Sequence, residues 1–246
     1  MPFYCFFARC SRAALAAGGL ALLAAPAALA QAPVDTAGVH YAGPRYPGGP
    51  DSLRAYLRRH RLPGARAVFA QVEITPATPR PTAPTVLAAP GSPAAPSLAL
   101  AVARALDAMP AWTPGRQDVA IPLTTVTLGF NLPASASAAY AYADEMPVFP
   151  GLAPGLIGVY DHLATVQVIT PEAIRRKLSG DVYLYFEVSE KGRIEHVQIL
   201  EGNQPALNES ALQTLRRLPQ TASRPAYLRG RPVRIYYVLT MGLHVE

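Results

Sequence analysis

Residues 179–197, in the last third of the chain, read SGDVYLYFEVSEKGRIEHV and carry the clearest indication of the fold. Apolar and polar residues alternate through residues 182–189, and a second strand-like segment follows at residues 193–201, as on half-buried strands. Residues 189–193 join the two, and Gly192 can supply the positive φ that a tight turn requires. The sequence therefore predicts an antiparallel β-hairpin.

Helical and strand patterns flank this hairpin in a fixed order. A short helix is predicted to open at Thr170 and Pro171, because threonine is a favoured N-cap and proline a favoured first helical residue. A second helix is predicted over residues 207–218, and alternation predicts a final strand over residues 233–243. The apolar stripe of the second helix comprises Leu207, Ala211, Leu215 and Leu218.

A similar order of helices and strands is predicted earlier in the chain. A helix over residues 52–60 has an arginine-rich polar face, and it is followed by a strand over residues 67–74. Residues 75–97 carry seven prolines and are predicted to form a long surface loop without a central strand. A helix over residues 98–109 and an alternating strand ending at Leu132 complete the unit. We therefore predict an α+β protein with two tandem small units, each a helix packed on a three-stranded antiparallel sheet.

The second unit resembles a known family, the TonB C-terminal domain. The resemblance rests on the hairpin of residues 179–197, on the helix start LNESAL at residues 207–212 and on RGRPVRIYY at residues 229–237. These motifs keep the family's order and spacing and end close to the last residue. Residues 46–132 resemble a second, degenerate copy.

The resemblance and the composition together suggest a division of the chain. We expect a signal peptide at residues 1–30, a linker at 31–45 and a degenerate TonB-like unit at 46–132. A second linker is expected at 133–145, followed by the TonB C-terminal-like domain at 146–246. The repeated order of elements is the reason for expecting two units.

The N-terminal segment has the pattern of an export signal. Arg9 and Arg12 precede an alanine-rich apolar run, and a small-residue end predicts cleavage between Ala30 and Gln31. The alternative is an uncleaved membrane anchor, for which the run of 18 residues is at the lower limit of length. Export predicts the periplasm, whereas an anchor predicts the inner membrane with the chain facing the periplasm.

Composition and motifs argue against catalysis and against nucleic acid as a partner. Both cysteines, Cys5 and Cys10, lie in the N-terminal segment, and the five histidines have no metal-binding spacing. Neither a serine-hydrolase elbow nor a phosphate-binding glycine loop is present. Removal of Arg9 and Arg12 lowers the formal charge from +6 to +4, which is too mild for nucleic-acid binding. We therefore expect no enzyme activity, no catalytic residues, no metal and no cofactor.

The predicted function is recognition of an extended peptide by strand addition. An edge strand carries unpaired N–H and C=O groups that can pair with another chain. The resemblance implies that the last strand is this edge and that the partner is the N-terminal peptide of a TonB-dependent outer-membrane transporter. An anchored chain would also meet an inner-membrane proton-channel complex and act as an energy transducer. The candidate edge residues are Val233, Arg234, Ile235, Tyr236, Tyr237, Val238 and Leu239.

Two alternatives remain open from the sequence. The two units could pack together as a periplasmic scaffold or adaptor without a transporter partner, in which case the first unit would block the edge. Tyr183, Tyr185 and Tyr236 could line a peptide groove, but their position on the second face of the strands favours cross-strand packing.

Overall fold

The computed structural model describes residues 39–64, 66–88, 96–115, 124–132, 138–152, 155–202 and 204–244. The predicted cleavage site at Ala30 and Gln31 lies outside these residues. The described residues all belong to one compact unit.

Ten strands and five helices are described in these ranges. In chain order they are β1 (Val39–His40), α1 (Gly49–Arg59), β2 (Val68–Glu73), β3 (Thr82–Ala88), α2 (Pro96–Asp107), β4 (Thr125–Phe130), β5 (Glu145–Met146), α3 (Gly155–Thr165), α4 (Pro171–Arg175), β6 (Gly180–Val188), β7 (Ile194–Gly202), α5 (Pro205–Leu215), β8 (Ala226–Leu228), β9 (Arg231–Val233) and β10 (Ile235–Leu243). The predicted α+β class is confirmed.

Two three-stranded antiparallel sheets carry most of the fold. One has the order β10-β6-β7 and the other the order β3-β2-β4. In each sheet the strand that comes first along the chain is central, and the two later strands lie at the edges. The first half and the second half thus share one strand arrangement.

The hairpin predicted at residues 182–201 is the one formed by β6 and β7. Gly192 has φ 78° and forms the turn with a hydrogen bond from its N–H to the Ser189 carbonyl. On the covering helix α5, the predicted stripe of Leu207, Ala211 and Leu215 is buried. The Thr170 hydroxyl accepts from the Ala173 N–H at the start of α4, with Pro171 at the first helical position, as predicted.

The predicted loop at residues 75–97 instead contains the strand β3. This strand lies at the sheet edge, where a missing N–H donor is tolerated. Its register against β2 shifts between Gln71 and Glu73, so Pro84 lies at a β-bulge. The prolines therefore exclude a central strand, as predicted, but they do not exclude an edge strand.

The predicted last strand is divided in two. Arg229 and Gly230 both have positive φ and form a tight turn between β8 and β9. This turn pairs Val233 with Ala226. Both residues belong to a separate four-stranded sheet of order β1-β5-β8-β9. Arg234 follows this sheet, and β10 begins at Ile235. A change of sheet at Arg234 cannot be read from alternation, because the alternating pattern continues across it.

The two three-stranded sheets pack against each other through the faces that carry no helix. Phe69 of β2 meets Tyr185 of β6 with ring centroids 5.1 Å apart, and it meets Tyr236 of β10 at 5.9 Å. Leu87, Leu200 and Val238 are buried in the same cluster. Tyr185 and Tyr236 are therefore core residues between the sheets, which is the packing role favoured from the sequence.

Candidate peptide-binding cleft along the last strand

The side chains of the predicted edge residues divide between two buried faces. Ile235, Tyr237 and Leu239 belong to the core shared with α5, whereas Tyr236 and Val238 face the other sheet. All five are buried. What β10 can offer to a partner is therefore mainly its main chain.

The main-chain groups of Tyr236 point away from β6. The Tyr236 N–H donates to the Tyr140 carbonyl at 3.1 Å, and the Tyr140 N–H donates to the Arg234 carbonyl at 2.9 Å. These bonds form a short parallel bridge that covers the start of β10. Because hydrogen-bonding direction repeats every two residues, Val238 and Thr240 also point away from β6.

Two side chains form hydrogen bonds with main-chain groups near the C-terminal end of β10. The Tyr160 hydroxyl of α3 lies 3.4 Å from the Thr240 nitrogen and accepts its N–H. The side-chain amide of Gln167 donates to the Gly242 carbonyl at 3.2 Å. The edge is thus occupied at both ends.

The N–H and C=O groups of Val238 lie between these two occupied points. Among the described residues, neither group has a hydrogen-bond partner on the edge of β10 that points away from β6. They face a cleft of about 410 Å³, which we name the strand cleft. Its lining includes Thr127 of β4, Met146, and Leu156, Ile157 and Tyr160 of α3.

The edge of β4 forms the opposite wall of the strand cleft. The Tyr236 hydroxyl donates to the Thr127 carbonyl and accepts from the Gly129 N–H, both at 2.9 Å. Burial raises the pKa of this hydroxyl above its ordinary value, so it stays protonated and able to make both bonds. Tyr236 therefore joins the two sheets at the floor of the cleft.

Residues 170–241 match the family model described as Gram-negative bacterial TonB protein C-terminal. This segment is TonB-like. The match runs from the N-cap of α4 to Met241 in β10, so it confirms the resemblance inferred from the hairpin, the helix start and the last strand. It contains the β10 wall of the strand cleft, whereas β4 and α3 lie outside it.

The chain is also similar to a solved structure. It is the NMR solution structure of the Helicobacter pylori TonB-CTD, with 15% sequence identity and a TM-score of 0.32. The match covers 39% of this chain and 87% of that chain. No curated protein matches the sequence.

A buried carboxylate lies at the start of the TonB-like last strand. Glu187 of β6 accepts from the Tyr185 hydroxyl at 2.6 Å and from Arg234 at 2.9 Å, and the His196 Nδ1 lies 3.0 Å away. Burial by itself would raise the pKa of Glu187, but these three hydrogen bonds outweigh it and hold the pKa below its ordinary value. Arg234 also contacts Glu195, so the cluster fixes the point where the chain enters β10.

The described residues contain no group of three or more His, Cys, Asp or Glu side chains arranged to hold a metal ion. Across the same residues, no helix has the length and apolar character needed to cross a membrane.

Sequence reasoning missed the residues that occupy the edge. Tyr140 lies in the segment predicted as a linker, and Tyr160 lies in α3, for which no helix was predicted. A signal for α3 is present, because Val159 and Leu163 are four residues apart and both are buried. No local pattern indicates that either tyrosine reaches β10.

Proposed function

We propose that this protein is a non-catalytic, TonB-like protein of the cell envelope that binds an extended peptide by strand addition in the strand cleft. The observation that carries the proposal is the outward-facing N–H and C=O of Val238, which an incoming strand can pair with. The apolar side chains of Leu156 and Ile157 would accept alternate side chains of that strand.

The proposed partner is the N-terminal peptide of a TonB-dependent outer-membrane transporter. The family match over residues 170–241 supports a link to outer-membrane transport. We further propose that residues 1–30 are removed and that the protein works in the periplasm. An intact-mass measurement that finds these residues retained would instead support an inner-membrane energy transducer in contact with a proton-channel complex.

The first unit, residues 46–132, is proposed to complete the site rather than to form a second one. Its β4 supplies Thr127 to the cleft wall and holds Tyr236 through two hydrogen bonds. Since Tyr236 and Val238 are buried against this unit, we expect the isolated segment 146–246 to expose apolar surface. Binding should therefore be measured on the chain from Gln31 to Glu246.

The test is a titration of a synthetic transporter N-terminal peptide, read by amide chemical shifts. We expect the largest shifts at Val238 and Thr240 and small shifts on β7, the far edge of the same sheet. Shifts concentrated on β7, or no shifts at millimolar peptide, would refute strand addition at β10.

A matched pair of substitutions tests the location independently. Ile157→Trp fills the cleft and should weaken peptide binding by about tenfold or more, equivalent to about 1.4 kcal/mol. Ile174→Trp is the control, because Ile174 is an isoleucine on α4 with 52% of its surface exposed and it does not line the cleft. Equal affinities for the two variants would place the binding site elsewhere.

The second candidate function is a scaffold or adaptor without a transporter partner. It is favoured by the bonds that Tyr140 and Tyr160 make to the edge, since they occupy groups that strand addition would use. Under this alternative the peptide produces no shifts in the native chain, and removal of the Tyr160 hydroxyl does not create binding.

A further inference from the structure

A second cleft lies between α1 and the end of β4, on the other side of Tyr236 from the strand cleft. Its volume is about 300 Å³, and its lining includes Arg54, Arg58 and Arg61. We name it the arginine cleft. Tyr236 and Ala141 line both clefts.

The arginines reach this cleft because of helical spacing. Residues 54–66 contain five arginines and no acidic residue, and Arg54, Arg58 and Arg61 are spaced four and three residues apart. Such spacing places side chains on one side of a helix, here α1 and the turn after it. Leu53 and Leu57 fill the buried side of α1, which leaves the arginines at the rim.

Arg54 is already held by other groups. It donates to the Ala138 carbonyl at 3.1 Å and to Asp51 at 3.4 Å, and its guanidinium lies 4.0 Å from the centroid of the Tyr140 ring. Arg58 and Arg61 are exposed, and their guanidinium groups have neither a hydrogen bond nor an ion pair with any described residue. No acidic side chain lines the cleft. Two guanidinium groups are thus available to a ligand.

The lower part of the cleft is apolar. Leu53 and Leu57 are buried there, and Leu132, Ala139 and Ala141 are further apolar residues of the lining. The hydrogen-bonding capacity of Asn131 is used by the main chain of Leu62. A ligand that fits must therefore present carboxylates to the rim and an apolar group to the floor.

We infer that the arginine cleft binds an acidic peptide segment that carries aliphatic side chains. Guanidinium groups pair with carboxylates through charge-assisted, often bidentate hydrogen bonds, so two free arginines favour a segment with at least two acidic residues. The concave shape favours a peptide over a flat anionic membrane, because only an inserted side chain reaches Leu53 and Leu57. This inference does not depend on strand addition at β10.

The test uses a fluorescent capped six-residue peptide of alternating glutamate and leucine, titrated by anisotropy against the chain from Gln31 to Glu246. Two further probes replace every glutamate with glutamine, or every leucine with serine. We expect each replacement to weaken binding by about tenfold, and a rise in salt from about 0.05 M to 0.5 M to weaken the first peptide strongly. Equal binding of the glutamate and glutamine peptides would overturn the inference.

Paired double variants separate a specific cleft from general positive charge. Arg58→Gln with Arg61→Gln should weaken the glutamate-leucine peptide by about tenfold or more. Arg217→Gln with Lys191→Gln removes the same charge from exposed positions outside the cleft and should change the affinity less than twofold. Equal losses in the two doubles would show non-specific attraction and refute the site.

Two controls complete the experiment. Ile157→Trp, which fills the strand cleft, should leave this affinity unchanged, so failure of the proposed function and failure of this inference give different results. Phosphatidylglycerol vesicles test the membrane as an alternative partner. Vesicle binding lost in the Arg58 and Arg61 double variant, without binding of any peptide, would overturn the assignment to a peptide.

Discussion

Removal of one hydroxyl group should test whether Tyr236 joins the two sheets. Tyr236→Phe keeps the ring that packs against Phe69 and Tyr185 but removes the group bonded to Gly129 and Thr127. An unpaired buried main-chain group costs about 1–3 kcal/mol. Gly129 is buried, whereas Thr127 is half-buried and regains part of its hydrogen bonding from water. We therefore expect the free energy of unfolding to fall by about 2 kcal/mol.

Urea denaturation provides the assay. With a slope of about 2 kcal/mol per molar urea, this loss lowers the midpoint by about 1 M. The single tryptophan, Trp112, is 3% exposed and reports on the first unit by fluorescence, while circular dichroism reports on the whole chain. If the sheets unfold together, the two signals should shift together.

Tyr183→Phe is the matched control for this substitution. Tyr183 is a tyrosine on β6 that is half-buried, whereas Tyr236 is buried. The Tyr183 hydroxyl has no hydrogen-bond partner among the described residues. Its loss should change the free energy of unfolding by less than about 0.5 kcal/mol. Equal effects of the two substitutions would refute the role assigned to the Tyr236 hydroxyl.

Three further predictions follow from the packing and the charges. Leu215→Ala should lower the free energy of unfolding by about 2–5 kcal/mol because Leu215 is buried under the sheet. Arg216→Ala should change the free energy of unfolding by less than about 0.5 kcal/mol. Equal losses in urea denaturation would mean that the buried face of α5 is assigned wrongly. The pKa of Glu187 in the folded protein lies below its ordinary value of 4.5, so the Glu187 carboxylate stabilises the fold above pH 4.5, and this stabilisation is lost as pH falls through the folded pKa. Glu187→Gln should therefore flatten the decline of the urea midpoint in acid. An unchanged decline would contradict the assignment. Tyr160→Phe frees the Thr240 N–H and should strengthen binding of the transporter peptide by about threefold or more, measured by titration, and a weaker complex would mean that Tyr160 itself contacts the peptide.

Local patterns determined the TonB-like hairpin and its covering helix. The alternation in β6, the positive φ of Gly192 and the stripe of Leu207 and Leu215 depend on contacts close in the chain or on one continuous face, so sequence spacing predicts them. The same reasoning correctly placed Pro171 at a helix start. It failed for β3, because whether a proline is tolerated depends on the position of the strand in the sheet.

Tertiary structure alone decided how much of β10 a partner can reach. The alternating pattern predicts an amphipathic last strand in a TonB-like segment, but both faces of that strand are buried. Tyr140 and Tyr160 are 80 to 96 residues away in sequence from the groups they bond, and Gly129 is 107 residues from Tyr236. Such pairings depend on how two separately formed sheets pack, and a pattern with a period of two or 3.6 residues carries no information about that packing. The sequence therefore predicts the strand, whereas the packing of the two sheets sets which of its main-chain groups, those of Val238 among them, face the strand cleft.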